Sequence, residues 1–171
     1  MLALFLAFVD IMLHRRGPQD LPSSKFLFWT LLAASLGVEL AVTFSNGGTA
    51  LAATVAILVT GLNLWFVWAL LRVFNRERRF LQTMTALLGA DTILSLIHAP
   101  FVPFLELPDP ENPALTIPMV ATTLVFLWSV DINAFVFARA LERPYLLCVA
   151  IVIAYALLIV SLQATLLQPV A

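Results

Sequence analysis

The chain has 171 residues, of which 62% are hydrophobic and 11% are charged, and its mean hydropathy is +1.01. A water-soluble domain is about half apolar and about a quarter charged. This chain lacks the charged residues that such a surface requires, so we expect lipid to surround it. The net charge of −1 gives no reason to expect a nucleic-acid partner. Cys148 is the only cysteine, which excludes an intramolecular disulfide and a metal site built from several thiolates.

The first thirteen residues are apolar apart from Asp10, but roughly 20 Å of helix is too short to cross a bilayer. In a helix, Ala3, Ala7, Asp10 and His14 share one face, and larger apolar residues occupy most of the other. This pattern predicts a short helix lying in the membrane interface, with a packed or re-entrant segment as the alternative. Together with the Gly- and Pro-containing leader that follows, it predicts a cytoplasmic unit at residues 1–25 and a transmembrane domain at 26–171.

Five stretches have the roughly 20 apolar residues that a helix needs to cross a hydrocarbon core. They are residues 26–44, 50–71, 80–99, 117–138 and 145–167. Each is predicted to be helical despite its many Val, Ile and Phe residues, because lipid offers no partner to an unpaired backbone group. Residues 45–48 predict a tight turn, and the six prolines of residues 100–118 predict an extended loop. The predicted fold is therefore an all-α integral membrane protein with a five-helix bundle.

The basic residues predict the orientation of this bundle. All nine Lys and Arg residues fall on one side of the five-span scheme: Arg15, Arg16, Lys25, Arg72, Arg76, Arg78, Arg79, Arg139 and Arg143. The opposite loops hold only acidic charges, which are Glu106, Asp109 and Glu111. Because basic loops stay in the cytoplasm, we predict a multi-pass protein of the cytoplasmic (inner) membrane with its N-terminus inside and its C-terminus outside.

Five strongly polar side chains lie at membrane depth in the predicted spans, and they are Glu39, Asn63, Asp91, His98 and Asp131. Charged groups are costly in lipid and are candidates for function. In one interpretation they face the bundle interior and form hydrogen bonds between helices. In the other, the three acids form a proton or cation path with His98 near its outer mouth.

Two further surfaces are candidates for contacts outside the chain. Arg72, Arg76, Arg78 and Arg79 form a cytoplasmic basic cluster, which predicts contact with anionic lipid headgroups or, alternatively, a docking surface for a partner. Ala33, Gly37 and Ala41 recur every four residues on the face opposite Glu39, a spacing that permits close approach of another helix. This face predicts packing against other membrane subunits or a second copy of the chain.

Motifs of known reactions are absent from the sequence. It contains no HExxH, no glycine-rich phosphate loop and no GxSxG. The two histidines, His14 and His98, lie on opposite sides of the predicted membrane, which argues against a shared haem or zinc site. We therefore expect no catalytic residues, no metal and no cofactor.

Three segments resemble the bacterial branch of the Yip family of small polytopic membrane proteins. Residues 80–103, with FLQT at the start, Gly89-Ala90 within and prolines at the end, are similar to its third span. Residues 127–141, which contain LWS and FARAL, resemble its fourth span and the basic turn beyond. Residues 16–22, RGPQDLP, resemble a leader in small bacterial members. The resemblance implies a cytoplasmic N-terminal segment and five spans, and it supplies no catalytic residues.

Two functions fit these observations. The first is a non-enzymatic subunit, scaffold or assembly factor of a membrane complex, as the small size, small-residue face and lack of reaction motifs indicate. The alternative is a small proton- or cation-coupled transport protein that uses its intramembrane carboxylates. Convergence of the three acids on one hydrated cavity would favour transport, whereas separate hydrogen bonding of each would favour the scaffold.

Overall fold

A computed structural model describes residues 2–45, 47–102 and 117–167, which form helices joined by short connections. The described residues contain six α-helices, which are α1 (Leu2–Met12), α2 (Lys25–Ser45), α3 (Ala50–Val73), α4 (Phe80–His98), α5 (Ile117–Leu141) and α6 (Tyr145–Leu167). Three short 3₁₀ helices lie at Pro18–Asp20, Glu77–Arg79 and Ala99–Phe101. By length and composition, α2 to α6 can each cross a membrane, and the described residues contain no strand. For the described residues, the prediction of an all-helical protein with five helices long and apolar enough to cross a membrane is confirmed.

The ends of the helices differ slightly from the predicted spans. α3 and α5 continue past their first basic residue, Arg72 and Arg139 respectively. A helix satisfies its own backbone hydrogen bonds, and a cation near its C-terminus interacts favourably with the helix dipole. A residue in the left-handed region follows each of these helices: Asn75, with φ 57°, lies two residues after α3, and Glu142, with φ 56°, lies directly after α5. Most of the predicted loop at 100–118, including its three acids, lies outside the described residues, as do Asn46 of the predicted turn and the last four residues.

Helix α4 lies at the centre of the bundle. Residues 83–90 are all buried, including Thr83 and Thr85, whose hydroxyls donate to backbone carbonyls one turn earlier. α4 packs against α2, α3 and α5, while α6 packs against α3 and α5. The outer helices expose large apolar side chains, among them Phe26, Leu146 and Leu157, as expected where lipid is the solvent. The contacts from α2 to α3, α6, α5, α4 and back to α2 therefore form a ring of five helices, with α4 its most buried member.

The N-terminal segment packs on this bundle. Phe8, Ile11 and Met12 of α1 are buried against α4 and α5, while Phe5 and Leu13 point outward. Further along, the Gln82 side-chain amide of α4 donates to the carbonyl oxygen of Leu21 at 2.9 Å. The short helix predicted near the N-terminus is present and has a packed face, as in the alternative considered above. Its position in the membrane interface, and the division of the chain at residue 25, remain predictions.

Gly89 allows α1 to approach α4 closely. A Cβ atom at this position would lie 2.4 Å from Cε1 of the Phe8 ring, well inside van der Waals contact. By contrast, a Cβ atom at Gly61 of α3 would meet nothing within 4 Å. The lack of a side chain at Gly89 is therefore a packing requirement of the N-terminal segment.

We predict that Gly89→Ala displaces α1 and lowers the free energy of unfolding by about 1–3 kcal/mol, the usual cost of overpacking. Thermal unfolding in detergent and hydrogen exchange of residues 2–12 measure the two effects. Gly61→Ala is the matched control and should lose no stability, because alanine favours a helix more than glycine does. Equal behaviour of the two variants would contradict the proposed contact.

Candidate functional site

A cavity of about 350 Å³ lies between the five long helices. Every one of α2 to α6 contributes to its wall. The polar side chains that carry its chemistry are Glu39, Thr60, Asn63, Asp91, Asn133 and Tyr155. Ser35, Ser95 and Ser129 add hydroxyls from α2, α4 and α5. The rest of the wall is formed by Leu, Val, Ile, Met, Ala and Phe side chains, so the polar groups face one another within an apolar surround.

Glu39 of α2 reaches the cavity next to Thr60 of α3. The Thr60 hydroxyl lies 3.4 Å from Glu39 Oε2 and 3.0 Å from the carbonyl oxygen of Ala56. Its single hydrogen can therefore serve either acceptor. The Glu39 side chain is half-buried, and Thr60 is its described hydrogen-bond partner. This carboxyl group keeps unused acceptor capacity that faces the cavity.

Asp91 enters the same cavity from the central helix α4. Its carboxyl group lies near the Asn133 side chain of α5 and near Glu39, and it interacts with both. Asn133 is itself held in place, because its Nδ2 donates to the carbonyl oxygen of Ser129 at 2.8 Å. Two of the three intramembrane acids thus share one space.

Asn63 and Tyr155 form the opposite part of the site. The Tyr155 hydroxyl donates to Asn63 Oδ1 at 2.6 Å, which joins α6 to α3. The Tyr155 ring stacks on Phe66, with centroids 3.8 Å apart and planes at 7°. Phe137 meets the other side of this wall edge-on, 6.2 Å from Phe66. We call Phe66, Phe137 and Tyr155 the aromatic wall.

Asp131 lies outside the cavity. Its Oδ1 accepts a hydrogen bond from the Tyr145 hydroxyl at 2.5 Å, and its Oδ2 lies 3.2 Å from Nε2 of His14. The His14 ring stacks on Phe135 with centroids 4.2 Å apart. The Asp131 carboxylate therefore joins the N-terminal segment to α5 and α6. The hypothesis that all three acids form one path does not match this placement.

Helix geometry explains why Asp131 and Asn133 separate. Residues two apart on a helix point about 200° apart, so one of this pair faces inward and the other outward. Ser129 and Asn133 are four residues apart and share the inward face. Asn133, Thr60 and Tyr155 carry no charge and were not among the site residues predicted from the sequence. The four-residue spacing from Ser129 was the signal that could have identified Asn133.

His98 also lies apart from the site. Its Nε2 is 3.2 Å from the Thr122 hydroxyl, a contact that ties the end of α4 to α5. His98 is not among the residues that line the cavity. Its predicted position at the mouth of a path stays a prediction.

Two of the four arginines in the basic cluster form ion pairs within the protein. Arg76 and Arg79 both pair with Glu142, the latter at 2.6 Å, and Arg79 also donates to the carbonyl oxygens of Arg139 and Ala140. These bonds connect the turn between α3 and α4 to the turn between α5 and α6. The hydrogen bond from Arg79, with the charges of both arginines, lowers the pKa of Glu142.

The two remaining arginines of the cluster behave differently. Arg72 lies over the Trp68 ring at 5.1 Å, and Arg78 is exposed. Neither forms an ion pair within the described part of the chain. Contact of this cluster with lipid headgroups remains a prediction, and Arg72 and Arg78 are the members best placed for it.

The small-residue face lies on the outside of the bundle. Ala33, Gly37 and Ala41 are all exposed, and a Cβ atom at Gly37 would meet nothing within 4 Å. Glu39 on the same helix lines the cavity, so the two faces of α2 point in different directions. Within this chain the small-residue face contacts no other helix closely.

The charge of the cavity limits its chemistry. Among the described lining residues none is Lys, Arg or His, so the two carboxyl groups have no basic counter-ion there. An unpaired carboxylate is very costly away from water, and it is neutralised by a proton or by a bound cation. The described residues contain no group of three or more His, Cys, Asp and Glu side chains that could hold a metal ion.

Comparison with family models, with curated proteins and with solved structures finds no match to this chain.

We predict that Glu142→Gln destabilises the protein at neutral pH, because it removes a charged partner from Arg76 and Arg79. A lowered pKa means that Glu142 stabilises the fold above its ordinary value of 4.5 and that this contribution is lost as the pH falls through its folded-state value. The difference in melting temperature between parent and variant should therefore shrink on acidification.

Glu77→Gln is the matched control, since Glu77 is an exposed acid in the same region and forms no ion pair within the described residues. Its melting temperature should follow the parent at every pH. A Glu142→Gln variant with the parent's stability at neutral pH would show that the two turns are not joined by this carboxylate.

Proposed function

We propose that this protein binds a cation or protons in the cavity between its five helices and acts as a small proton- or cation-coupled transport protein. The observation that carries the proposal is the convergence of Glu39 and Asp91 on one cavity whose described lining has no basic residue. Such a pair requires positive charge from elsewhere. Two of the three acids converge, which supports transport, while the separate contacts of Asp131 with Tyr145 and His14 support the scaffold function considered below.

The same oxygens can hold either a proton or a cation, and this competition provides the coupling. A cation that binds between Glu39 and Asp91 favours the ionised carboxylates, whereas protonation removes the charge that attracts it. Arrival of one species therefore promotes release of the other. Thr60 would orient Glu39 for this exchange through its hydrogen bond, and the neighbouring Asn133 side chain would orient Asp91.

The proposed setting is a bacterial inner membrane, with the basic turns facing the cytoplasm, the N-terminus inside and the C-terminus outside. Arg72 and Arg78 would contact anionic headgroups on that side. We propose no enzymatic activity and no cofactor. Kinship with the Yip family stays a prediction, and the transport proposal does not depend on it.

A second candidate function is that of a subunit or scaffold in a membrane complex. The exposed Ala33, Gly37 and Ala41 face supports it, because small residues let a helix of another subunit or a second copy approach closely. Purification from native membranes in mild detergent tests this candidate. A chain that always runs as a lone monomer, without a stoichiometric partner, would count against it.

Flux measurements in proteoliposomes test the transport proposal. We expect the parent protein to carry protons or sodium ions down an imposed gradient, and Asp91→Asn or Glu39→Gln to reduce the rate about tenfold or more, since each removes one of the two charges that hold the cation. Asp131→Asn is the matched control, because it neutralises an intramembrane acid outside the cavity. Loss of flux in Asp131→Asn alone, or no flux in the parent, would refute the proposal.

A further inference from the structure

We infer that the cavity takes an organic cation, namely an ammonium compound with an apolar or aromatic substituent, rather than a bare metal ion. This inference rests on the proposed cation-binding function and narrows it to one chemical class. It follows from three independent properties of the cavity. They are its size, the aromatic wall and the absence, among the described residues, of a cluster of three or more His, Cys, Asp or Glu side chains that could hold a metal ion.

The size of the cavity exceeds what an inorganic cation needs. Its volume is about 350 Å³, and one water molecule takes up roughly 30 Å³ of liquid. A dehydrated alkali-metal ion would leave most of that space to water among Leu, Val, Ile and Phe side chains, which hold water poorly. Pockets for small organic ligands begin at about 300 Å³. The space therefore suits an organic molecule that brings its own apolar surface.

The aromatic wall supplies the second property. Phe66 and Tyr155 stack with their centroids 3.8 Å apart, and Phe137 meets Phe66 edge-on, so the three rings support one another. The Tyr155 hydroxyl is fixed by Asn63, which sets the orientation of its ring. Ring faces attract alkylammonium groups, and the attraction is stronger where the site is shielded from water. Rings and carboxyl groups that line one cavity thus match both the charge and the alkyl surface of such a cation.

Coordination chemistry supplies the third property. Hard metal ions take about six oxygen ligands at short and regular distances. The part of the chain that the structure describes has no cluster of three acids or histidines, and each cavity acid is already within reach of one fixed neighbour, Thr60 or Asn133. An ammonium group needs only a nearby negative charge and polarisable contacts. Glu39 and Asp91 meet that requirement without a complete coordination shell.

Binding of benzyltrimethylammonium to the purified full chain in zwitterionic nanodiscs tests the inference. Its uncharged carbon isostere, neopentylbenzene, separates charge recognition from simple partition into lipid. We expect saturable binding of the ammonium compound, no saturable binding of the isostere, and no displacement by excess sodium chloride. Asp91→Asn should weaken binding about tenfold or more, because the bound charge loses a counter-ion.

Four further variants test the inference if Asp91→Asn does not fold. Glu39→Gln should weaken binding in the same way. Tyr155→Leu removes the ring and should weaken binding by about threefold to tenfold, whereas Tyr155→Phe loses only the hydrogen bond to Asn63 and should weaken binding less than Tyr155→Leu does. Asp131→Asn should bind as the parent does.

The outcomes separate the inference from the function on which it rests. Sodium or proton flux that needs Asp91, together with no binding of the ammonium compound, would overturn the inference and leave cation transport standing. Equal binding of the ammonium compound and its carbon isostere would also overturn it. Absence of both flux and binding would refute the two proposals together.

Discussion

Two carboxyl groups lie among five helices whose other surfaces are almost entirely apolar, and hydrocarbon contains no water to solvate them. Glu39 and Asp91 can stay at this depth only if the bundle provides a polar interior. It does so with side chains from every long helix: hydroxyls, two amides and a phenol turn toward the same space, while Leu, Phe and Val side chains point outward. Because these acids are costly in lipid, polar side chains from each of α2 to α6 face the same cavity.

Polar groups outside the cavity have a different role. Asp131 ties the N-terminal segment to α5 and α6 through His14 and Tyr145, and Glu142 joins two turns through Arg76 and Arg79. Each contact joins segments that are distant in the chain. In a bundle whose helices meet lipid tails as apolar as their own side chains, such directional contacts help to fix which helices are neighbours. Cavity acids and connecting acids thus have the same chemistry and different partners.

Sequence patterns identified most of the fold and part of the site. Apolar length predicted five crossing helices, because a backbone in lipid has to satisfy its own hydrogen bonds over about 30 Å. Periodicity also placed Glu39 opposite Ala33, Gly37 and Ala41, as the structure has it. Grouping Asp131 with the other acids failed because depth along a helix says nothing about direction around it. Thr60 and Tyr155 were missed since an isolated hydroxyl in an apolar run is not distinctive until its neighbours are known.

The sequence by itself determined that this chain is helical, that five of its helices are suited to lipid and that its positive charges gather on one side of the five-span scheme. These properties depend on the composition of each segment, which solvent physics acts on directly. Only the tertiary structure decided that Glu39 and Asp91 meet, that Asp131 serves a connection instead, and that Phe8 packs over Gly89. Those outcomes depend on which helices are neighbours and how each is rotated, and rotation is fixed by packing between segments that are far apart in the chain.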